Sequence, residues 1–159
     1  GVSMESVYLE TTIASYLTAW RSQKPVMAGQ QDDTHEWWTK HRLKYELFIS
    51  DLVLEEATEG DPDAAKRRLE LLKDIPVLGQ STETDALAKA LFMGLSLPPK
   101  AEYDAFHIAV ATIHGIDYLL TWNCRHIANI KHRLKIESIC RSLGYEAPLI
   151  CTPTEMMED

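Results

Sequence analysis

The sequence predicts a three-layer α/β domain, in which helices flank a central, mostly parallel sheet of about five strands. Segments typical of strands and helices alternate along the chain, and this order characterises α/β folds. Residues 118–121 are apolar without alternation, as expected for a strand covered by helices on both faces. Residues 102–114 are apolar on almost every face, which indicates a helix buried inside the domain.

Each element is predicted from its apolar spacing and its end signals. One of the threonines at 11 and 12 should cap a helix, and another helix should cover residues 30–45. Asp61-Pro62 is a typical helix start, and Thr82 with Asp85 resembles a capping box. The predicted strands cover residues 7–9, 47–50, 75–78, 118–121 and 149–151, and further helices cover 51–60, 62–72, 102–114 and 130–143.

Length and composition favour one soluble domain. The 159 residues are 45% hydrophobic and 25% charged, which is ordinary for a globular protein. We expect residues 4–159 to form this domain and residues 1–3, ahead of Met4, to be a remnant of recombinant expression. No apolar run reaches the roughly 20 residues that span a bilayer, so we expect no membrane segment and a cytoplasmic location.

The net charge of −8 counts against a protein that coats nucleic acid through general electrostatics. The same charge is compatible with a metal-dependent nuclease, because bound cations supply positive charge where phosphate must lie. The three cysteines include no CxxC pair, so we expect free thiols and no zinc site.

Five polar residues should meet at the carboxyl edge of the sheet, where open α/β sheets bind ligands. Oxygen ligands of this kind suit Mg²⁺ or Mn²⁺. Single residues have ordinary alternatives: Asp104 could complement a helix dipole, and Glu56 competes with Glu55 and Glu59. His107 is predicted as a hydrogen-bonded core residue. The five candidates are Glu10, Glu56, Asp104, Thr121 and Asn123.

Short motifs occur in a recognisable order. VYLETT at 7–12 closes a strand with Glu10, and Glu56 precedes Gly60 by four residues, an offset that selects Glu56 over Glu55. Asp104 heads an alanine-rich helix, and a strand closes on Thr121 and Asn123. Together with a last strand at 149–153, these motifs resemble those of PIN-domain nucleases of the VapC toxin kind, over nearly the whole chain.

This resemblance implies a PIN-like fold and a metal-dependent endoribonuclease, often a homodimeric toxin that a small antitoxin neutralises. It implies Glu10, Glu56 and Asp104 as ligands of Mg²⁺ or Mn²⁺, with Asn123 and Thr121 supporting the site. Glu10 and Asn123 stand where the family usually has Asp. The alternative is therefore a PIN-like binding or regulatory module with reduced catalysis. A flavodoxin-like nucleotide binder is disfavoured because no glycine-rich phosphate loop follows any strand.

Overall fold

A computed structural model of the protein describes residues 4–158. Its five strands form one all-parallel sheet with the order β3-β2-β1-β4-β5, which confirms the predicted α/β class. The central strand β1 is buried from Val7 to Leu9. The strands are β1 (Ser6–Leu9), β2 (Glu46–Ser50), β3 (Val77–Leu78), β4 (Tyr118–Leu120) and β5 (Leu149–Cys151).

Helices flank this sheet, and the contacts between them form two main groups. In the first group α1 contacts α2, α3 and α4, and in the second α5 contacts both α6 and α7. Between Lys40 and β2 lies a 3₁₀ turn at Arg42–Lys44, and a second one at Pro99–Ala101 precedes α6. The helices are α1 (Thr11–Thr18), α2 (Pro25–Lys40), α3 (Asp51–Ala57), α4 (Pro62–Leu72), α5 (Thr82–Gly94), α6 (Glu102–Ile113), α7 (Ile130–Ser142) and α8 (Pro153–Met156).

Helix α6 is the most buried helix of the domain, as its apolar sequence predicts. Its side chains from His107 to Thr112 are all buried, and they belong to the same core as β1 and β4 or lie against it. Gly115 follows the helix with a φ of +66°, a left-handed conformation that favours glycine and turns the chain into β4. No helix within residues 4–158 has the length and hydropathy that crossing a membrane requires.

Several predicted boundaries were wrong. Helix α2 begins at Pro25 rather than at residue 30, because proline is well suited to the first helical position. It ends at Lys40, and β3 covers only residues 77–78 of the predicted 75–78. Residues 1–3 and 159, which entered the predictions for the remnant and the domain end, lie outside the described residues.

Two predicted helix caps were also wrong. Helix α1 is capped by Glu10, whose side chain accepts a hydrogen bond from the Thr12 backbone N–H. The capping box of α5 consists of Ser81 and Thr84, one residue before the predicted pair. In both cases the cap lies one residue or more upstream, because a polar side chain in extended conformation precedes the first helical turn.

Candidate metal centre

The carboxyl edge of the sheet gathers polar side chains around the point where the strand order reverses. Strand β1 lies between β2 and β4, and its Leu9 pairs in register with Leu120. This register places Glu10 beside Thr121, and the Glu10 N–H donates to the Leu120 carbonyl at 3.1 Å. Crevices at such a reversal are the usual ligand sites of open parallel sheets.

Glu10 is a buried acid held by hydroxyl groups from both neighbouring segments. Glu10 as a whole residue is only 4% exposed. Its Oε1 accepts hydrogen bonds from the hydroxyls of Thr12 at 2.5 Å and Thr121 at 2.6 Å. Burial raises the pKa of Glu10, and these hydrogen bonds and the nearby His107 offset only part of that effect. The carboxylate is therefore fixed in place but poorly solvated.

Glu56 lies on α3 and turns towards the same cluster. Its Oε1 accepts hydrogen bonds from the Thr11 hydroxyl and from His107 Nε2, both at 2.6 Å. Burial by itself would raise the pKa of Glu56, but these two donors and the charge of His107 outweigh it and lower the pKa. The adjacent Glu55 is exposed and bonds instead to the Tyr103 hydroxyl. The two neighbouring acids thus point to different partners.

His107 is fully buried on α6 and was not among the predicted site residues. Its Nδ1 lies 2.6 Å from the Tyr8 hydroxyl, which lies 2.7 Å from Ser50 Oγ. Burial lowers the pKa of His107, but the bond to Glu56 and the charge of Glu10 raise it more, so that the net shift is upward. The expectation of a hydrogen-bonded core histidine is confirmed, but its partner is an acid of the candidate site.

Asp104 and Asn123 lie at the outer side of this cluster. Asp104 is half-buried in the first turn of α6; burial raises its pKa, and the Asn123 side chain, His107 and His126 partly counter the rise. Asn123 Oδ1 accepts a hydrogen bond from the His126 N–H at 3.0 Å and shapes the turn after β4. The Asn123 oxygen is therefore engaged in local structure.

The cluster has the donor chemistry that a hard divalent cation requires. One ligand atom each from Glu10, Glu56 and His107 lie within 4.8 Å of one another. Within residues 4–158, no hydrogen bond reaches Oε2 of Glu10 or of Glu56, so each carboxylate is anchored by one oxygen and keeps the other for a ligand. Mg²⁺ and Mn²⁺ bind such carboxylate oxygens together with water.

The structure brings together three of the five predicted residues, Glu10, Glu56 and Thr121, and leaves Asp104 and Asn123 at the margin. Glu10 and Glu56 share the compact group, Thr121 anchors Glu10, and Asp104 is close enough for the charge of Glu56 to raise its pKa. The Asn123 side chain partly counters the rise that burial causes in the pKa of Asp104, and its oxygen bonds to the His126 N–H in the turn after β4. His107 was not predicted as a site residue, although its position one turn after Asp104 indicates that both side chains can face one site.

Fold and site together define a parallel α/β domain with an acidic pocket at its carboxyl edge, consistent with a PIN-like fold. Among solved structures, the chain is similar to a chain in the crystal structure of VapBC2 from Rickettsia felis bound to a DNA fragment from the VapBC2 promoter. The TM-score is 0.55 and the sequence identity is 14%, and the match covers 92% of this chain and 98% of that chain. No protein-family model and no curated protein matches the sequence. At this identity the likeness concerns the fold alone.

Proposed function

We propose that the protein is a divalent-metal-dependent endoribonuclease of the PIN-domain, VapC toxin kind. The observation that carries the proposal is the pair of anchored carboxylates, Glu10 and Glu56, whose ligand atoms lie within 4.8 Å of each other and of His107 at the carboxyl edge. A similar fold in the VapBC2 structure and the motif order support the same assignment.

In this proposal Glu10, Glu56 and Asp104 hold Mg²⁺ or Mn²⁺. The bound ion supplies an activated water and stabilises charge on the phosphodiester. Thr12 and Thr121 keep Glu10 in one orientation through its Oε1. With His107 charged, three carboxylates against one imidazolium leave a net charge of −2, which favours a cation over a free phosphate in this pocket.

RNA cleavage tests the proposal directly. Purified protein with Mg²⁺ or Mn²⁺ should cut RNA, EDTA should stop the cleavage, and Asp104→Asn should lower the rate about 100-fold or more. Glu55→Gln is the matched control, because Glu55 neighbours Glu56 but bonds to Tyr103. Cleavage that persists in EDTA and in Asp104→Asn would contradict the assignment.

A second candidate function is a PIN-like binding or regulatory module with reduced catalysis. The observation that favours it is the pairing of Glu56 with His107, which neutralises part of the acidic charge without any metal. Glu10→Asp separates the two candidates, since it restores the acid usual in the family. A large gain of RNA cleavage in this variant would favour the reduced module, whereas unchanged or lower cleavage by an active parent would favour the nuclease.

The proposal includes a small antitoxin partner and a homodimer. The similar structure is a VapBC2 complex, which supports a partner of the antitoxin kind. Co-expression with the product of a small reading frame next to the gene should yield a complex that no longer cleaves RNA. Light scattering of the isolated chain measures its oligomeric state, and a mass of about 18 kDa would exclude the dimer.

A further inference from the structure

A continuous chain of side-chain hydrogen bonds runs from the core to the candidate metal centre. Ser50 Oγ lies 2.7 Å from the Tyr8 hydroxyl, which lies 2.6 Å from His107 Nδ1. His107 Nε2 lies 2.6 Å from Glu56 Oε1. Ser50, Tyr8 and His107 are all buried, and three different elements, β2, β1 and α6, contribute them.

The partners of His107 decide which of its atoms carry protons. An ionised carboxylate only accepts hydrogen bonds, so Nε2 carries a proton directed at Glu56. If the ring is neutral, Tyr8 donates to Nδ1 and accepts from Ser50. If the ring is charged, Nδ1 donates to Tyr8, which then donates to Ser50. In both states Nε2 has no free electron pair for a metal ion, and the Tyr8 hydroxyl bonds to both of its neighbours.

The Glu56 carboxylate therefore accepts a hydrogen bond from His107, and the His107 ring is in turn hydrogen-bonded to the Tyr8 hydroxyl. Thr11 alone could fix one oxygen of Glu56, but a single hydroxyl leaves the carboxylate free to rotate. The His107 ring supplies a second, directional donor to the same Oε1, and the Tyr8 hydroxyl fixes the plane of that ring. Such outer contacts commonly set the orientation of metal-binding groups.

We propose that Tyr8 and Ser50 are positioning residues, which act through His107 to hold the Glu56 carboxylate in its metal-binding orientation. His107 belongs to this support rather than to the ligand set. The inference rests on the proposed function, because it assigns a role to residues behind the same metal centre. It adds that the affinity for the metal depends on a tyrosine hydroxyl in the middle of the core.

The test measures Mn²⁺ affinity by calorimetry and RNA cleavage for wild type and Tyr8→Phe. Removing the hydroxyl should weaken Mn²⁺ binding about 10-fold and lower cleavage in parallel. Tyr118→Phe is the matched control, since it removes a tyrosine hydroxyl bonded to Glu5 Oε2 at 3.0 Å, beyond the opposite end of β4. That control should keep the wild-type affinity within about twofold.

A double-mutant cycle identifies the route of the effect. If Tyr8 acts through Glu56, Tyr8→Phe should change Mn²⁺ affinity by less than about twofold in a Glu56→Gln background. An equal 10-fold loss in both backgrounds would mean that Tyr8 supports the fold in general, and it would overturn the inference. Pulsed EPR of bound Mn²⁺ adds a spectroscopic readout: coupling to a directly coordinated imidazole nitrogen would make His107 a ligand and overturn its positioning role.

Each failure has a distinct signature. A wild type that binds no Mn²⁺ contradicts both the proposed function and the inference. A wild type and a Tyr8→Phe variant that bind Mn²⁺ equally contradict the inference alone. If Tyr8→Phe does not fold, as judged by circular dichroism, Ser50→Ala replaces it; losing this last hydroxyl should weaken Mn²⁺ binding about threefold, and an unchanged affinity would again contradict the inference.

Discussion

The two ends of the parallel sheet both carry an acid bonded to hydroxyl groups, but they differ in burial. At the amino end, Asp117 Oδ2 accepts from the Ser6 N–H at 2.8 Å and from the Ser6 hydroxyl at 3.2 Å, in an exposed setting. At the carboxyl end, Glu10 Oε1 accepts from Thr12 and Thr121 inside the protein. Similar contacts therefore surround a solvated acid at one end and a desolvated acid at the other.

We infer from this difference that Asp117 is structural, whereas Glu10 belongs to the proposed metal centre. Asp117 joins the starts of β1 and β4, because the Ser6 hydroxyl also accepts from the Asp117 N–H at 2.9 Å. Water solvates the remaining surface of its carboxylate. Glu10 is desolvated beside Glu56, whose charge raises the pKa of Glu10, and the nearby His107 offsets only part of the effect of burial. A desolvated acid beside a second acid destabilises the metal-free fold, and such destabilised groups are expected at ligand sites.

Exchanging one acid at each end should give the largest contrast. Glu10→Gln keeps an oxygen that can accept from Thr12 and Thr121 but removes the charge, so Mn²⁺ affinity should fall about 100-fold or more. Asp117→Asn makes the same chemical change at the amino end and should alter the affinity less than about twofold. Calorimetry measures both, and equal losses would show that the carboxyl end is not the metal centre.

The sequence predicted the sheet and its polar edge because both depend on local pattern. Apolar strands without alternation predict burial, and the residue that follows each parallel strand falls at one edge. Glu10 and Thr121 could thus be placed together from their strand ends. The expectation for α6 was also correct, because a helix that is apolar on almost every face has to be buried.

The remaining features depend on contacts between distant residues. His107 meets Glu56 only because α3 and α6 pack against each other, and a pattern within one helix does not specify that approach. The Tyr8 hydroxyl determines what His107 bonds to, and the two residues lie 99 positions apart. Asn123 was predicted from its place after β4, but its oxygen forms a turn with His126 instead.

The groups at the carboxyl end of the sheet should make the metal-free protein less stable as pH rises, whereas an acid in an ordinary salt bridge adds stability as pH rises. The raised pKa values of Glu10 and Asp104 mean that the metal-free fold favours their protonated forms. The raised pKa of His107 adds stability below its ordinary value of 6.5. All three contributions disappear as pH rises through the raised folded-state pKa values, so metal-free stability should fall as pH rises above the ordinary values of these groups.

Denaturant unfolding at several pH values, with and without Mn²⁺, measures this effect. Saturating Mn²⁺, at about 100 times its dissociation constant, should return about 2.7 kcal/mol at pH 8 and much less at pH 5. Glu56, with its lowered pKa, works in the other direction and destabilises the fold only as pH falls below its ordinary 4.5. A metal-free protein that gains stability steadily up to pH 8 would contradict the desolvated character of the pocket.

The smallest expected effect is on the stability of the metal-free protein. At pH 8, Glu10→Gln should raise the free energy of unfolding by about 1 kcal/mol, because it removes a buried charge while its amide oxygen keeps the two threonine donors. Asp117→Asn should change it by only about 0.5 kcal/mol, since water already solvates that carboxylate. Both changes are measured by urea unfolding in EDTA. Glu10→Gln should raise the free energy of unfolding and also lose metal affinity only if the buried Glu10 charge destabilises the metal-free protein. A destabilised Glu10→Gln would mean that the Glu10 charge supports the fold as Asp117 does, and the two ends of the sheet would then differ in burial without differing in role.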